Sequence, residues 1–193
     1  GKVTTISCWD QIACSAFALR KKEGIGLKEL RTITDRFGGI DPSRAEGLGY
    51  ELIPGWEWLA DDVDILIPAA MENQITVDNV EHISQRVKFV IEGANGPTTP
   101  DADEQLTKRG IVTIPDFLAN AGGVTCSYFE QVQSNMNFFW PHDEVLGRLD
   151  TTMTNAFLAV SDLAKSRKLS LRDAAYVIAV DRVARACKDR GWV

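Results

Sequence analysis

The chain has 193 residues, 45% hydrophobic and 25% charged, so it can bury a sizeable core in one large domain or two small ones. Its 27 acidic and 21 basic residues give a net charge of −6, which argues against nucleic acid or an anionic membrane as a partner. The longest strongly apolar stretch, residues 65–71, is far shorter than the ~20 residues of a transmembrane helix.

The cysteine pattern argues against a disulfide framework and against a zinc site. Cys8, Cys14, Cys126 and Cys187 include no CxxC pair, and the chain has only two histidines. Scattered cysteines of this kind are typical of proteins from a reducing compartment. We therefore expect no metal ligands and a cytoplasmic location.

The first 115 residues alternate short apolar strands with helical patterns. The run VDILI is typical of a strand that is covered on both faces in a parallel sheet. The predicted strands are residues 2–7, 50–54, 63–70, 88–91 and 111–114, and the predicted helices are residues 11–22, 27–37, 77–87 and 99–108. This order predicts a Rossmann-like, doubly wound and mostly parallel α/β sheet.

After residue 115 the pattern becomes entirely helical. Apolar residues recur at helical spacing, which predicts helices over residues 116–136 and 143–168 and a last helix through residues 175–186. We therefore predict one dinucleotide-binding domain over residues 1–193. Its sheet occupies residues 1–115, and the carboxyl-terminal helical region 116–193 packs on it.

The first two candidate ligand loops follow neighbouring strands, where open α/β sheets bind their ligands. After the strand VDILI, Pro68 fixes a turn, and the small Ala69 and Ala70 let a flat ligand approach the backbone. In the next loop, residues 93–98, two glycines permit unusual backbone angles. Asn95 in that loop offers a donor and an acceptor, which suits a ribose hydroxyl or a carboxamide. Thr98 or Thr99 can cap the following helix.

A third loop, after residues 111–114, combines Asn120 with the pair Gly122–Gly123 and, two helical turns beyond Asn120, with Ser127. Each feature has a structural explanation when it is taken alone. Asn95 suits an Asn-Gly turn, the glycine pair suits a close helix contact, and Ser127 suits an ordinary helical serine. Three such loops at three successive strand ends favour a binding cleft.

The glycine fingerprint G-x-G-x-x-G of dinucleotide-binding folds is absent from the sequence. Residues 2–7 therefore correspond to the second strand of such a fold, whose end meets the adenosine ribose. Cys8 occupies that strand-end position, and Asp10 stands two residues beyond it. Because the chain begins at Gly1 without a methionine and runs directly into a strand, we expect a fragment of a longer protein.

Four segments carry a resemblance to a known family: DILIPAAMENQIT, EGANGPTTPDAD, PDFLANAGGVTCSYFEQVQ and RDAAYVIAVDRVARACKDRGWV. Together they resemble the carboxyl-terminal part of glutamate dehydrogenases of the hexameric bacterial and archaeal type, in the Glu/Leu/Phe/Val dehydrogenase family. The likeness covers nearly the whole chain and is weakest over residues 11–58. It implies the reversible oxidative deamination of L-glutamate to 2-oxoglutarate and ammonia with NAD or NADP.

The resemblance also implies roles for individual residues. Pro68, Ala69 and Ala70 would lie along the cofactor. Asn95 would bond the ribose on the nicotinamide side, and Asn120 would hold the nicotinamide or the substrate. Two further residues, Val124 and Ser127, would line the substrate pocket, with the Ser127 hydroxyl bonding the γ-carboxylate.

Two positions bear on specificity within this family. Leucine, phenylalanine and valine dehydrogenases need an apolar pocket, whereas Ser127 favours glutamate. Cys8 replaces the acidic residue that would repel a 2′-phosphate, which leaves NAD and NADP both open, while Asp10 favours NAD.

The catalytic lysine and aspartate of the family belong to an amino-terminal substrate domain, so no catalytic residue is assigned here. We therefore expect the isolated chain to be inactive, and to be a monomer or a weak dimer, whereas the full-length protein would be a homohexamer. The alternatives are a leucine, phenylalanine or valine dehydrogenase and a non-catalytic nucleotide-binding module.

Overall fold

The structure is a computed structural model that describes residues 1–10, 15–36 and 38–192, without the side chains of residues 7–10, 15 and 16. The chain divides into two compact units. One comprises residues 1–63 with 82–85, and the other comprises residues 64–81 with 86–193.

The first unit contains an antiparallel sheet in the order β1 (Thr5–Asp10), β2 (Ser15–Arg20) and β3 (Glu51–Pro54). Two short helices accompany it, α1 (Leu27–Ile33) and α2 (Pro42–Gly47). Its core is the buried cluster Leu19, Ile33, Ala45 and Tyr50. The expectation of a mostly parallel sheet is therefore wrong for these three strands.

The helix predicted over residues 11–22 is also wrong, as far as the structure describes it. Residues 11–14 lie outside the described part, and Ser15–Arg20 forms a strand that pairs with both β1 and β3. Thr5 lies opposite Arg20, and Ala18 and Leu19 are both fully buried. Since adjacent strand residues point to opposite faces, β2 is covered on both sides, which gives it no clear alternation of apolar and polar residues.

The helix predicted over residues 27–37 is shorter than expected. α1 ends at Ile33, because Thr34 has an extended backbone and bridges to Ile40. Phe37, at the predicted end, lies outside the described residues.

The second unit contains a parallel sheet in the order β4 (Ile65–Leu66), β5 (Phe89–Ile91) and β6 (Val112–Ile114). Helix α3 (Pro100–Lys108) connects β5 to β6 and buries Ala102 and Leu106, one turn apart. Pro100 occupies its first turn, as predicted, and Thr99 occupies the N-cap position without forming a side-chain cap. The predicted parallel α/β arrangement thus holds for these three strands.

Four helices follow the parallel sheet, in agreement with the predicted helical region. They are α4 (Asp116–Ala119), α5 (Ala121–Met136), α6 (His142–Arg167) and α7 (Leu171–Asp189). Their buried cluster comprises Leu118, Val160, Ala164, Ala174 and Ala175. Among the described residues, the helices are too short or too polar to cross a bilayer.

Two helix predictions in this part of the chain need correction. Residues 77–87 form turns and a single 3-10 turn, Val80–His82, instead of a helix. The helix predicted over residues 116–136 is interrupted at Asn120, whose backbone angles (φ −98°, ψ 2°) separate α4 from α5.

Candidate functional site

The three predicted loops meet at the carboxyl edge of the parallel sheet. The carbonyl of Pro68, after β4, accepts a hydrogen bond of 2.8 Å from the amide of Ala94, after β5. The side chain of Asn120, after β6, donates to the carbonyl of Gly93 at 3.3 Å. The loops thus form one continuous edge of backbone and amide groups, as the pattern of strand ends predicts.

Gly93 permits the close approach of the first two loops. A Cβ atom at this position would lie 3.0 Å from Ala69 Cβ and 3.4 Å from Ala69 Cα. Pro68 is buried beneath this contact, whereas Ala69 and Ala70 are exposed. The absence of a side chain at position 93 therefore sets the spacing of the two loops.

The two candidate asparagines form a pair. Asn120 Nδ2 donates a 2.7 Å hydrogen bond to Asn95 Oδ1. Asn95 is exposed and Asn120 is half-buried. Asn95 is followed by Gly96, whose φ of 55° belongs to the left-handed region that favours glycine. The pair presents amide groups to solvent from two different loops.

A buried ionic network lies behind this pair. Glu92 is fully buried, and its Oε1 accepts a 2.7 Å hydrogen bond from Arg172 of α7. The same guanidinium donates to Asp103 Oδ2 at 2.7 Å and lies 3.9 Å from Asp116 Oδ1. Burial alone would lower the pKa of Arg172, but its hydrogen bonds to Asp103 and Glu92 raise that pKa above the ordinary value. Arg172 is therefore charged at neutral pH.

The network extends from Glu92 to the asparagine loops through Asp116. Glu92 Oε2 accepts the backbone N–H of Asp116 at 2.9 Å. Asp116 Oδ2 in turn accepts the amide of Gly96 at 2.8 Å. The end of β5, the start of α4 and the loop that carries Asn95 are thereby tied together.

Val124 and Ser127 lie on α5, one and two turns after Asn120, which places the three residues on one helix face. Both are exposed, Val124 at 70%. An added Cβ at Gly123, in the first turn of α5, would meet nothing within 4 Å. The start of α5 is therefore open to solvent on this side.

Cys8 and Asp10 were placed by the prediction at the end of the first strand. The structure extends β1 to Asp10, so Cys8 lies within the strand opposite Phe17, and Asp10 pairs with Ser15. The strand-end assignment of Cys8 is therefore wrong. The side chains of both residues lie outside the description, and their role toward a cofactor remains a prediction.

The sequence analysis missed Glu92, Arg172 and Asp116. A signal was present at Arg172, which stands in the first turn of α7, where the helix dipole disfavours a cation. Glu92 directly follows an apolar strand and precedes the glycine loop. A charge in either setting indicates a distant ionic partner, and the two residues are indeed paired. No cluster of His, Cys, Asp or Glu among the described residues has the arrangement of a metal site.

Comparison with known proteins agrees with this architecture. The chain is 43% identical over 175 residues to the NAD-specific glutamate dehydrogenase of Staphylococcus aureus (strain COL), which covers 91% of this chain and 41% of that protein. It is 52% identical over 141 residues to the glutamate dehydrogenase of Thermotoga maritima, covering 73% of this chain and 33% of that protein. The chain thus spans about two fifths or less of the length of these relatives.

Solved structures show the same likeness. The glutamate dehydrogenase of Peptoniphilus asaccharolyticus superposes with a TM-score of 0.78 at 35% identity, over 100% of this chain and 42% of that chain. The hetero-hexameric glutamate dehydrogenase of Thermus thermophilus (Leu bound form) superposes with a TM-score of 0.75 at 28% identity, over 90% and 39% of the two chains. A family model described as Glutamate/Leucine/Phenylalanine/Valine dehydrogenase matches residues 6–191. With the match extending over nearly its whole length, the chain belongs to this dehydrogenase family.

Proposed function

We propose that the chain is the cofactor-binding domain of an NAD-dependent glutamate dehydrogenase. The reaction is the oxidative deamination of L-glutamate to 2-oxoglutarate and ammonia. The observation that carries this proposal is the Asn95–Asn120 pair at the edge of the parallel sheet, in a chain 43% identical to an NAD-specific glutamate dehydrogenase. On this proposal residues 1–193 belong to one dinucleotide-binding domain, whose parallel strands β4, β5 and β6 carry the cofactor loops.

The cofactor supplies the hydride chemistry when it is bound, and the residues of this chain bind and orient it. Asn95 presents its Nδ2 group to the ribose, and Asn120, whose Nδ2 already bonds Gly93 and Asn95, presents its Oδ1 to the nicotinamide or the substrate. Exposed Ala69 and Ala70 leave the backbone open to a flat ring. Cys8 and Asp10 are proposed to lie toward the adenosine ribose, where the charge of Asp10 favours NAD over NADP.

On the same proposal the catalytic lysine and aspartate are supplied by a part of the protein outside this chain. General acid–base catalysis contributes about 10²–10⁴-fold, so the chain alone is expected to be inactive. We further propose a cytoplasmic homohexamer for the full-length protein, with the isolated chain a monomer or a weak dimer. The relative from Thermus thermophilus is itself named as hetero-hexameric.

Substrate choice is expected to depend on Ser127. In the full-length protein, Ser127→Ala removes a hydroxyl that would bond the γ-carboxylate, so we expect the KM for L-glutamate to rise about 10–100-fold, as for loss of a hydrogen bond to a charged group. Initial rates of NADH formation at saturating NAD+ and varied L-glutamate measure this KM. Ser134→Ala, two turns further along α5, is the matched control and should leave this KM unchanged.

Substrate profiling of the same protein tests the reaction itself. L-glutamate should be oxidised with a higher kcat/KM than leucine, phenylalanine or valine. If the protein prefers one of these apolar amino acids, that amino acid and not glutamate is its substrate. An absence of NADH formation with all four would indicate a nucleotide-binding module without catalysis.

A further inference from the structure

The three loops of the candidate site are held by side chains that no ligand would touch. Arg172, at the start of α7, is 20% exposed and reaches Glu92, which lies 80 residues earlier in the chain. It also reaches Asp103, which lies 69 residues earlier. The α7 start is thereby fastened to the end of β5 and to α3 by charge-assisted hydrogen bonds, which are stronger than neutral ones.

Glu92 connects Arg172 to the loops through hydrogen bonds. One carboxylate oxygen faces Arg172, and the other accepts the amide of Asp116. The backbone N–H of Glu92 also donates to the carbonyl of Ile114 at 3.1 Å. Glu92 is therefore fixed from both sides, and the ends of β5 and β6 are held at one spacing.

Asp116 then bonds to the backbone at both asparagines. Its side chain accepts the amide of Gly96, next to Asn95. Its carbonyl accepts the amide of Asn120 at 2.8 Å. Both members of the Asn95–Asn120 pair are therefore positioned from one residue, and that residue is positioned by Glu92 and Arg172.

We infer that Arg172 is a positioning residue for cofactor binding, acting through Glu92 and Asp116 on the Asn95–Asn120 pair. This inference rests on the proposed function, because NAD+ is the ligand whose site the pair would form. A planar guanidinium can face three carboxylates at once, whereas an ammonium is a single point donor. Arg172→Lys should therefore keep the charge and the fold while it loosens the loop.

The test uses the full-length protein with Arg172→Lys, and with Arg185→Lys as the matched control. Arg185 lies on the same helix, is exposed and pairs only locally with Asp181 among its described contacts. Calorimetric titration with NAD+ should show about a tenfold higher Kd for Arg172→Lys, since a loop that is no longer pre-organised must be ordered on binding. Arg185→Lys should have the wild-type Kd.

Hydrogen exchange of the peptide spanning residues 93–99, without cofactor, gives a second readout. The Gly96 amide should exchange about tenfold faster in Arg172→Lys, because its acceptor on Asp116 is no longer fixed. A folded Arg172→Lys with wild-type Kd and wild-type exchange would overturn the inference. Failure of the wild-type protein to bind NAD+ would instead overturn the proposed function, and the exchange readout separates the two results.

Discussion

Replacing Arg172 by methionine is expected to lower the free energy of unfolding by about 3–5 kcal/mol, the cost of leaving a buried charge without its partner. Glu92 is fully buried, and Arg172 is the cation bonded to it. Asp103 and Asp116 lie beside the same guanidinium and would repel Glu92 in its absence. Urea unfolding followed by the circular dichroism of the helices measures the change.

Two further variants make this prediction specific. Arg185→Met removes an exposed ion pair on the same helix and should change stability by less than about 1 kcal/mol. Glu92→Gln combined with Arg172→Met removes both charges and should recover part of the loss. If Arg172→Met lowers the free energy of unfolding no more than Arg185→Met does, the ionic network does not hold the helical region to the sheet edge.

Replacing Gly93 by valine is expected to destabilise the protein by about 1–3 kcal/mol, the usual cost of overpacking a tight contact. The added Cβ would lie 3.0 Å from Ala69 Cβ, which is tighter than an ordinary van der Waals contact, and 3.4 Å from Ala69 Cα, which is at its normal limit. Relief of the clash must separate the loop after β4 from the loop after β5. NAD+ binding should therefore weaken together with stability, measured by thermal unfolding with and without NAD+.

Gly147→Ala is the control for the effect of removing a glycine as such. It lies within α6, where an added Cβ meets nothing within 4 Å. This change should stabilise the helix by about 0.5–1 kcal/mol and leave NAD+ binding unaltered. A Gly93→Val protein as stable as wild type, with unchanged NAD+ binding, would show that the two loops need not approach so closely.

Elements whose boundaries are set by local chemistry could be predicted from the sequence. α3 begins at Pro100, as a proline in the first turn indicates. α7 begins at Leu171, four residues before the predicted 175, although its cap is also local: the Ser170 hydroxyl accepts the amide of Asp173 at 3.0 Å. β5 and β6 coincide with short apolar runs that lie between polar turns. In each case the signal lies within a few residues of the element.

Elements decided by distant pairing could not be predicted in this way. β2 is a strand because β1 and β3 flank it, which the residues 15–20 do not show by themselves. Val80, Ile83 and Val87 have helical spacing and are all buried, yet none of them lies in an α-helix. There the side chain of Asn79 accepts the amide of Thr76 and donates to the carbonyl of Gln74, which stabilises a turn in place of a helix.

The candidate site shows the same division. The loops with Asn95 and Asn120 could be predicted, because strand ends of a parallel sheet share one edge. The direct bond between the two asparagines, and the break at Asn120 that permits it, could not. The Glu92–Arg172 pair joins residues 80 positions apart. From a single sequence each charge can be seen to lack a local partner, but the residue that pairs with it cannot be identified.

The most direct test of the cofactor site is a calorimetric titration of the full-length protein and of its Asn120→Ala variant with NAD+ and NADP+. We predict that the wild-type protein binds NAD+ more tightly than NADP+. Asn120→Ala should bind NAD+ about 5–30-fold more weakly, as expected for the loss of one or two hydrogen bonds of about 1 kcal/mol each. A folded Asn120→Ala variant that binds NAD+ as tightly as wild type would contradict the placement of the cofactor at the Asn95–Asn120 pair.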